Sequence, residues 1–468
     1  MRERQRSLAL AAVLALVIVA CGGGGATTTT AGPTTTATTA APTTTETTAA
    51  EIAFDIGVTE DTITVGLLAD LTGIFSPLVQ DIVAAQEVYW DLVNEAGGIG
   101  GKTVEMNTVD TNYNVDQHRT QYEAIRDDVA IISQSTGSPH TAGVIDLMLE
   151  DDIVAIPLSW YSGWQDPAFD ESTALELGTN YCFEGMNIVE YMSELFEVQN
   201  GAAPTWAVIS FPGEYGQDGA FGAKHAITEL GLELVYDGEG LVTPPGDDVD
   251  TTVITEIVSN APDIVFATVN PTNMGQIMGG AAQSGFQGWW TGSVPSYDFR
   301  MLDSPVAPLI DAAFFQPGYN VAWGTDVPGM GPLVDAMLAA RPDLRPSDAF
   351  VIGWLEAKMT EEILRVAADS LDMTRAGIKA AALSIEGFGF DGLLPDQSYS
   401  PPDDPNAYST RAIAMFDPDL AAYTAAGGNA QTIGTAPNGG TTGSTLLEDF
   451  FVGDIAAAYD FQGRCFGG

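Results

Sequence analysis

From residue 61 onward, short β-rich runs alternate with segments whose apolar residues recur at helical spacing. Residues 62–68 read as a strand. Leu78, Val79, Ile82, Val83, Tyr89, Leu92, Val93 and Ala96 then fall on one helical face, which Gly97 and Gly98 close. Residues 103–109 read as the next strand and 114–126 as a polar helix. The short apolar runs 130–133 and 153–158 suit strands buried on both faces of a parallel sheet. A second series starts near Tyr181, with strands at 206–211, 232–236, 264–269 and 288–292 and helices between them. Such alternation predicts parallel sheets with right-handed crossovers, hence an α/β fold, and two consecutive series predict two such lobes meeting near Asp170. After Pro317 the pattern changes. Residues 349–371 and 375–383 read as helices followed by Gly- and Pro-rich loops, a tail expected to return and complete the two lobes.

Composition narrows the function. The chain has 468 residues, 45% of them hydrophobic, enough for two domains with real cores. Its formal net charge of −47 repels any polyphosphate backbone, so no nucleic-acid partner is expected. The acidity itself reads as a strongly solvated surface. Three cysteines and three histidines leave no framework for zinc or iron–sulfur, and no cofactor or metal is expected.

The first residues look like an address. Arg2, Arg4 and Arg6 precede an apolar run over 8–20, too short for a stable membrane span but suited to a signal-peptide core. Its ending, Ile18-Val19-Ala20-Cys21, resembles the lipobox of bacterial lipoproteins, in which the cysteine carries a lipid; the alternative is ordinary secretory cleavage beside an incidental cysteine. Residues 22–50, mostly Thr, Ala and Gly, contain no large apolar side chain and read as a tether. If Cys21 is lipidated, Cys182 and Cys465 remain in an oxidising compartment, and a disulfide between them is expected against the alternative of two buried thiols.

Several segments resemble catalytic or metal motifs and fail on inspection. Gly97–Thr103 lacks the first glycine of a phosphate loop, which is Ala96, and it runs from helix to strand, the reverse of the order that aims amides at phosphate. Asp110, Asn112 and Asn114 open like a calcium loop, but Val115 and Gln121 stand where glycine and glutamate belong. The histidines lack metal-ligand spacing, and there is no G-x-S-x-G elbow or S-x-x-K. No enzyme is indicated.

Other residues carry a family resemblance. Val65-Gly66-Leu67-Leu68 with Leu71-Thr72-Gly73, then Asn94-Glu95-Ala96-Gly97-Gly98-Ile99 and Asp110, resemble the opening of leucine/isoleucine/valine-type solute-binding proteins. Glu214-Tyr215-Gly216-Gln217 resembles that family's segment early in its second lobe. The resemblance implies two doubly wound parallel-sheet lobes joined by three crossovers, the periplasmic-binding-protein type I fold. It divides the chain into a signal peptide (1–20), lipidated Cys21 with its linker (21–52), one lobe from 53–172 plus about 322–395, and another from 173–321 plus about 396–468. It further implies a monomeric lipoprotein on the extracytoplasmic face of the cell membrane that captures a small polar ligand, an amino acid or related carboxylate or amide, by hinge closure. The partners would be the permease subunits of an ABC uptake transporter, with the lipid as sole membrane attachment. A ligand sensor regulating a signalling partner is the alternative, since the same lobes serve both roles.

Ligands of open α/β sheets sit beyond the carboxyl ends of the strands, so the loops there supply the candidates. By position in the family, Ser135, Thr136 and Ser138, then Ser159 and Tyr161, hold a ligand carboxylate, and Tyr215 faces the ligand. Phe75, Trp160, Asn270, Tyr297 and Asp298 lie in the neighbouring loops. The alternatives are helix capping for the hydroxyls, core packing for Tyr215 and a plain cleft wall for Trp160 and Trp164. Amino-acid-binding relatives take the ligand ammonium on an acid just after the strand at 288–292. Here that position is Val294, so the ligand is expected to differ from an ordinary α-amino acid; the alternative is a longer loop in which Asp298, four residues on, takes the ammonium.

Overall fold

The computed structural model describes residues 52–467 except 244–249, 343, 346, 402–403, 405, 407–409 and 426–441. The predicted signal peptide, Cys21 and the tether through residue 51 lie outside the described residues.

The first series runs β1 (Ala53–Phe54), β2 (Thr62–Ala69), α1 (Ser76–Glu95), β3 (Thr103–Asp110), α2 (Val115–Ile125), β4 (Ile131–Thr136), α3 (Ser138–Ala142), α4 (Ile145–Glu150) and β5 (Ala155–Leu158). The second runs α5 (Tyr181–Asn200), β6 (Thr205–Ser210), α6 (Gly216–Glu229), β7 (Glu233–Gly238), α7 (Thr251–Asn260), β8 (Ile264–Thr268), α8 (Pro271–Gln283), β9 (Trp289–Gly292), α9 (Ala307–Ala313) and β10 (Phe314–Gly318). The chain then returns through α10 (Met330–Ala340), α11 (Asp348–Asp369), β11 (Asp372–Met373), α12 (Arg375–Ala382), β12 (Ile413–Pro418) and β13 (Ser444–Phe451).

Apart from β1, which pairs parallel with β11 in a two-stranded sheet, two large sheets organise these elements. One has the order β3-β2-β4-β5 and is parallel throughout. The other has the order β13-β12-β10-β9-β8-β6-β7, parallel except where β12 pairs antiparallel with both β10 and β13. The expectation of purely parallel sheets is therefore corrected at one edge. Pro317 inside β10 reads as a break in sequence, and β13 is an edge strand, half of it polar and all but Ser444 at least partly exposed, so neither carries a buried-strand signature.

Alternation along β2 shows the double winding. Ile63, Val65 and Leu67 enter the main core with α1, while Leu68 joins Ile132, Tyr122, Val144 and Met148 on the opposite face. Leu92, expected on the buried face of α1, is instead 41% exposed. Helix α11 packs along α1. At their crossing a Cβ on Gly353 would lie 2.2 Å from the Ile82 carbonyl oxygen, so only glycine permits that approach. The chain passes between the sheets three times, after β5, after β10 and after α12, which makes the α/β fold two doubly wound lobes on a three-segment hinge.

Candidate ligand-binding site

Two acids shape the first wall. Asp70, buried just after β2, accepts the N–H groups of Gly73 (2.5 Å) and Phe75 (2.8 Å). Asp110 accepts the Leu71 N–H (3.0 Å) and the Thr72 hydroxyl (2.7 Å). The resulting turn delivers Phe75 to the cleft, which gives the Leu71-Thr72-Gly73 segment and Asp110 a physical reason to go together. Burial lifts the Asp70 carboxyl above its ordinary value against those N–H bonds. Farther along, Gly137 has φ +96°, and a Cβ there would meet His140 Nδ1 at 2.5 Å. This glycine lets β4 turn straight into α3 with Thr136 and Ser138 at the cleft.

Beyond the carboxyl ends of the two sheets lies a cavity lined from both lobes. Phe75, Thr136, Ser138, Trp160, Tyr215, Tyr297 and Asp298 line it; Ser135, Ser159, Tyr161 and Asn270 do not. Ser135 is occupied by His118 (3.1 Å) and Thr141 (2.8 Å). Ser159 bonds the Ser138 hydroxyl (2.7 Å) and accepts from Trp164 Nε1 (3.2 Å), so it supports a lining residue. Tyr161 and Trp164 pack with Phe169 in a side cluster. Asn270 caps α8 by accepting the Asn273 N–H (2.7 Å).

The walls are largely aromatic. Tyr215 sets its ring against Phe75 of the other lobe (6.1 Å between centroids) and Tyr181 (4.9 Å), while its hydroxyl donates to the Val269 carbonyl (2.7 Å). Trp160 is pinned by its Nε1 to the Leu177 carbonyl (2.7 Å) and lies against Tyr319. Tyr113 and Tyr181 also line the cavity and were missed by sequence reasoning. Tyr181 stands at the first position of α5, and Tyr113 reads as part of a polar stretch. Behind Tyr113, burial pushes His140 down to about 4 and His118 to about 3, so both are neutral at pH 7.

A group of polar lining residues was also missed: Gln316, Asn320 and Asp348. Asp348 Oδ1 accepts the Trp323 N–H (2.6 Å) and the Thr442 hydroxyl (3.1 Å), and Oδ2 accepts Gln316 Nε2 at 3.3 Å. Burial raises its pKa. The Tyr297 hydroxyl is buried and has no hydrogen-bond partner among the described residues. Val294 lines the cavity, and its N–H donates to Glu184 Oε1 (2.7 Å). Among the described residues, no group of three or more His, Cys, Asp or Glu side chains is placed to hold a metal ion.

Two sets of contacts join the lobes around the cavity. At the mouth, Arg300 pairs with Asp298 (2.9 Å) and reaches across to Asp81 on α1 (2.5 Å). Even with that cation beside it, burial lifts Asp298 to about 6. A groove with Ile74, Pro77, Pro271 and Met301 continues outward from there. On another side, Cys182 of α5 and Cys465 form a disulfide. The Cys465 N–H donates to the Ser162 hydroxyl (2.8 Å), which donates to Asp218 of α6 (2.5 Å), and the Tyr161 hydroxyl donates to the Phe466 carbonyl (2.7 Å). The chain's last residues thus touch both lobes.

Solved structures share this architecture. A fatty acid ABC transporter substrate-binding protein from Thermomonospora curvata is 23% identical, with a TM-score of 0.76 over 87% of this chain and 97% of that one. A branched-chain amino acid ABC transporter protein from Thermus thermophilus with bound valine is 18% identical (TM-score 0.68; 86% and 98% covered). The substrate-binding protein LivJ from Streptococcus pneumoniae in complex with isoleucine is 15% identical (TM-score 0.63; 83% and 100% covered). At these identities the likeness is one of fold. No curated protein sequence matches the chain. The family model for periplasmic binding proteins matches residues 62–443, from the first strand of the first sheet to the turn before β13, and the chain therefore belongs to the periplasmic binding protein family.

Proposed function

We propose that this chain is the solute-capturing component of an ABC uptake system, and that its ligand has an apolar or aromatic body without the α-ammonium group of an ordinary amino acid. The observation that carries the reading is the make-up of the cavity. Aromatic side chains enclose it from both lobes (Phe75 and Trp160 on one side, Tyr215 and Phe299 on the other), and none of its described lining residues is Lys, Arg or His. Such a site gains affinity mainly by taking apolar surface out of water, with a few polar groups fixing orientation. Thr136 and Ser138 are the hydroxyls offered to a carboxylate or amide. Val294 is the residue matched to the relatives' ammonium-binding acid, and Asp298, four residues on, is held by Arg300, so an ammonium at that place would lack a free partner at a cost of several kcal/mol, as a rough figure. The fold's relatives include a fatty acid transporter protein as well as valine- and isoleucine-bound ones, so the architecture itself accommodates apolar bodies.

Mechanistically, the protein does no chemistry. A ligand touching both lobes stabilises the closed form, which the permease reads. Mass spectrometry of the molecule released by denaturing purified protein should find such a compound. Calorimetry should find leucine and valine weak or silent and aromatic or aliphatic acids and amides tighter; submicromolar leucine binding would overturn the ligand class. We further place the protein on the outer face of the cell membrane by a lipid on Cys21. A Cys21→Ser chain should then appear in the culture medium, and its full retention at the membrane would refute the anchor.

A further inference from the structure

Asp348 stands apart from the other acids around the cavity. Asp298 and Asp81 share Arg300. Glu184 does not line the cavity and accepts the Val294 N–H on one oxygen and the Tyr319 hydroxyl (2.7 Å) on the other. Asp348 lines the cavity and is half-buried, and its hydrogen-bond partners among the described residues are neutral: the Trp323 N–H, the Thr442 and Ser444 hydroxyls and, at a long 3.3 Å, the Gln316 amide. A carboxylate can accept about four hydrogen bonds, and Oδ2 is the less committed oxygen. Tyr297 also lines the cavity and is 4% exposed, and its hydroxyl lacks any partner among the described residues. A buried hydroxyl left unpaired and a carboxylate unmatched by a cation are both costly, and each is relieved by a ligand group that donates hydrogen bonds.

We propose that Asp348, with Tyr297, determines specificity by receiving an ammonium or hydroxyl carried on the ligand's apolar body away from its carboxylate. This rests on the ligand class proposed above. A second carboxylate at that place would face Asp348 with no cation among the described lining residues to separate them, so dicarboxylates are rejected.

The test is calorimetry on the full folded chain with four probes that share one body: 3-phenylpropanoate and its para-hydroxy, para-aminomethyl and para-carboxy derivatives. The aminomethyl probe should bind about tenfold or more tightly than the parent, the hydroxy probe several-fold more tightly and the dicarboxylate about tenfold or more weakly, as charge-assisted contacts in a desolvated site allow. Asp348→Asn keeps an acceptor for the Trp323 N–H and should collapse these differences. Tyr297→Phe removes only the unpartnered hydroxyl, so the fold should persist while the hydroxy and aminomethyl probes lose several-fold more affinity than the parent. Equal binding of all four probes, or a ranking unchanged in Asp348→Asn, overturns this inference alone. No binding by any of the four overturns the apolar-bodied ligand and this inference with it.

Discussion

Glu184 sits in the first turn of α5 with no exposure to solvent, and burial pushes its carboxyl up to about 8. A carboxyl raised from an ordinary value near 4.5 holds a proton in the folded state that the unfolded chain has released. Its effect on stability therefore worsens as pH climbs from about 4.5 to about 8 and is flat outside that window. Asp170 and Asp218, both lifted to about 7 by burial, act in the same direction. His118 and His140 act in the opposite direction but only below about 6.5, where the unfolded imidazoles take up protons. Between pH 6.5 and 8 the carboxyls decide, so the melting temperature should fall over that interval. Glu184→Gln should shrink the fall and melt higher than the parent at pH 8; a melting temperature that rises with pH would contradict this account. The residue scale is also where sequence reading was most uneven. Tyr215 was legible because Glu214-Tyr215-Gly216-Gln217, after a strand, resembles the family's second-lobe segment. Asp348 was not, because an acid at a helix start reads as ordinary capping charge.

At the scale of elements, α11 shows how a cap can also fasten two helices. Ser347 accepts the Phe350 N–H (3.2 Å), as a helix-starting serine should, and its hydroxyl donates to Asp81 on α1 (2.6 Å). Ser347→Ala removes both and leaves a buried carboxylate one donor short. We expect a loss of about 1–2 kcal/mol, visible as a lower urea midpoint with an unchanged far-UV spectrum; an unaltered midpoint would mean the contact contributes nothing. Strands β2 to β9 were readable within a few residues because most are short apolar or β-branched runs that alternate with helical segments. The return segments were not. Pro317 masks β10, β12 takes its meaning from pairing with β10 far upstream, and β13 from pairing with β12, which no local pattern records. The tail's general role, completing structure begun earlier, was visible only because it could not form a core of its own.

The two lobes are held together at the cleft mouth by the bridge from Asp298 through Arg300 to Asp81. Side-chain exposures of 7% and 6% put both acids out of water, so breaking the bridge costs more than losing a surface ion pair. Arg300→Ala should shift the folded protein toward an open form, seen as a larger radius of gyration in small-angle scattering and faster ligand release. An unchanged radius with an intact circular dichroism spectrum would show that the bridge does not hold the cleft shut. The packing of α11 on α1 has a consequence in time as well as in space. Strands β2 to β5 are complete by Leu158, yet Val79, Ile82 and their neighbours acquire their helical partner only when residues 348–369 exist. A chain that emerges amino end first, from a ribosome or from a secretion pore, holds that half-built lobe bare of its partner helix while the entire second series passes. The lobe begun first can therefore be finished only near the end, so assembly is timed by the arrival of one late helix.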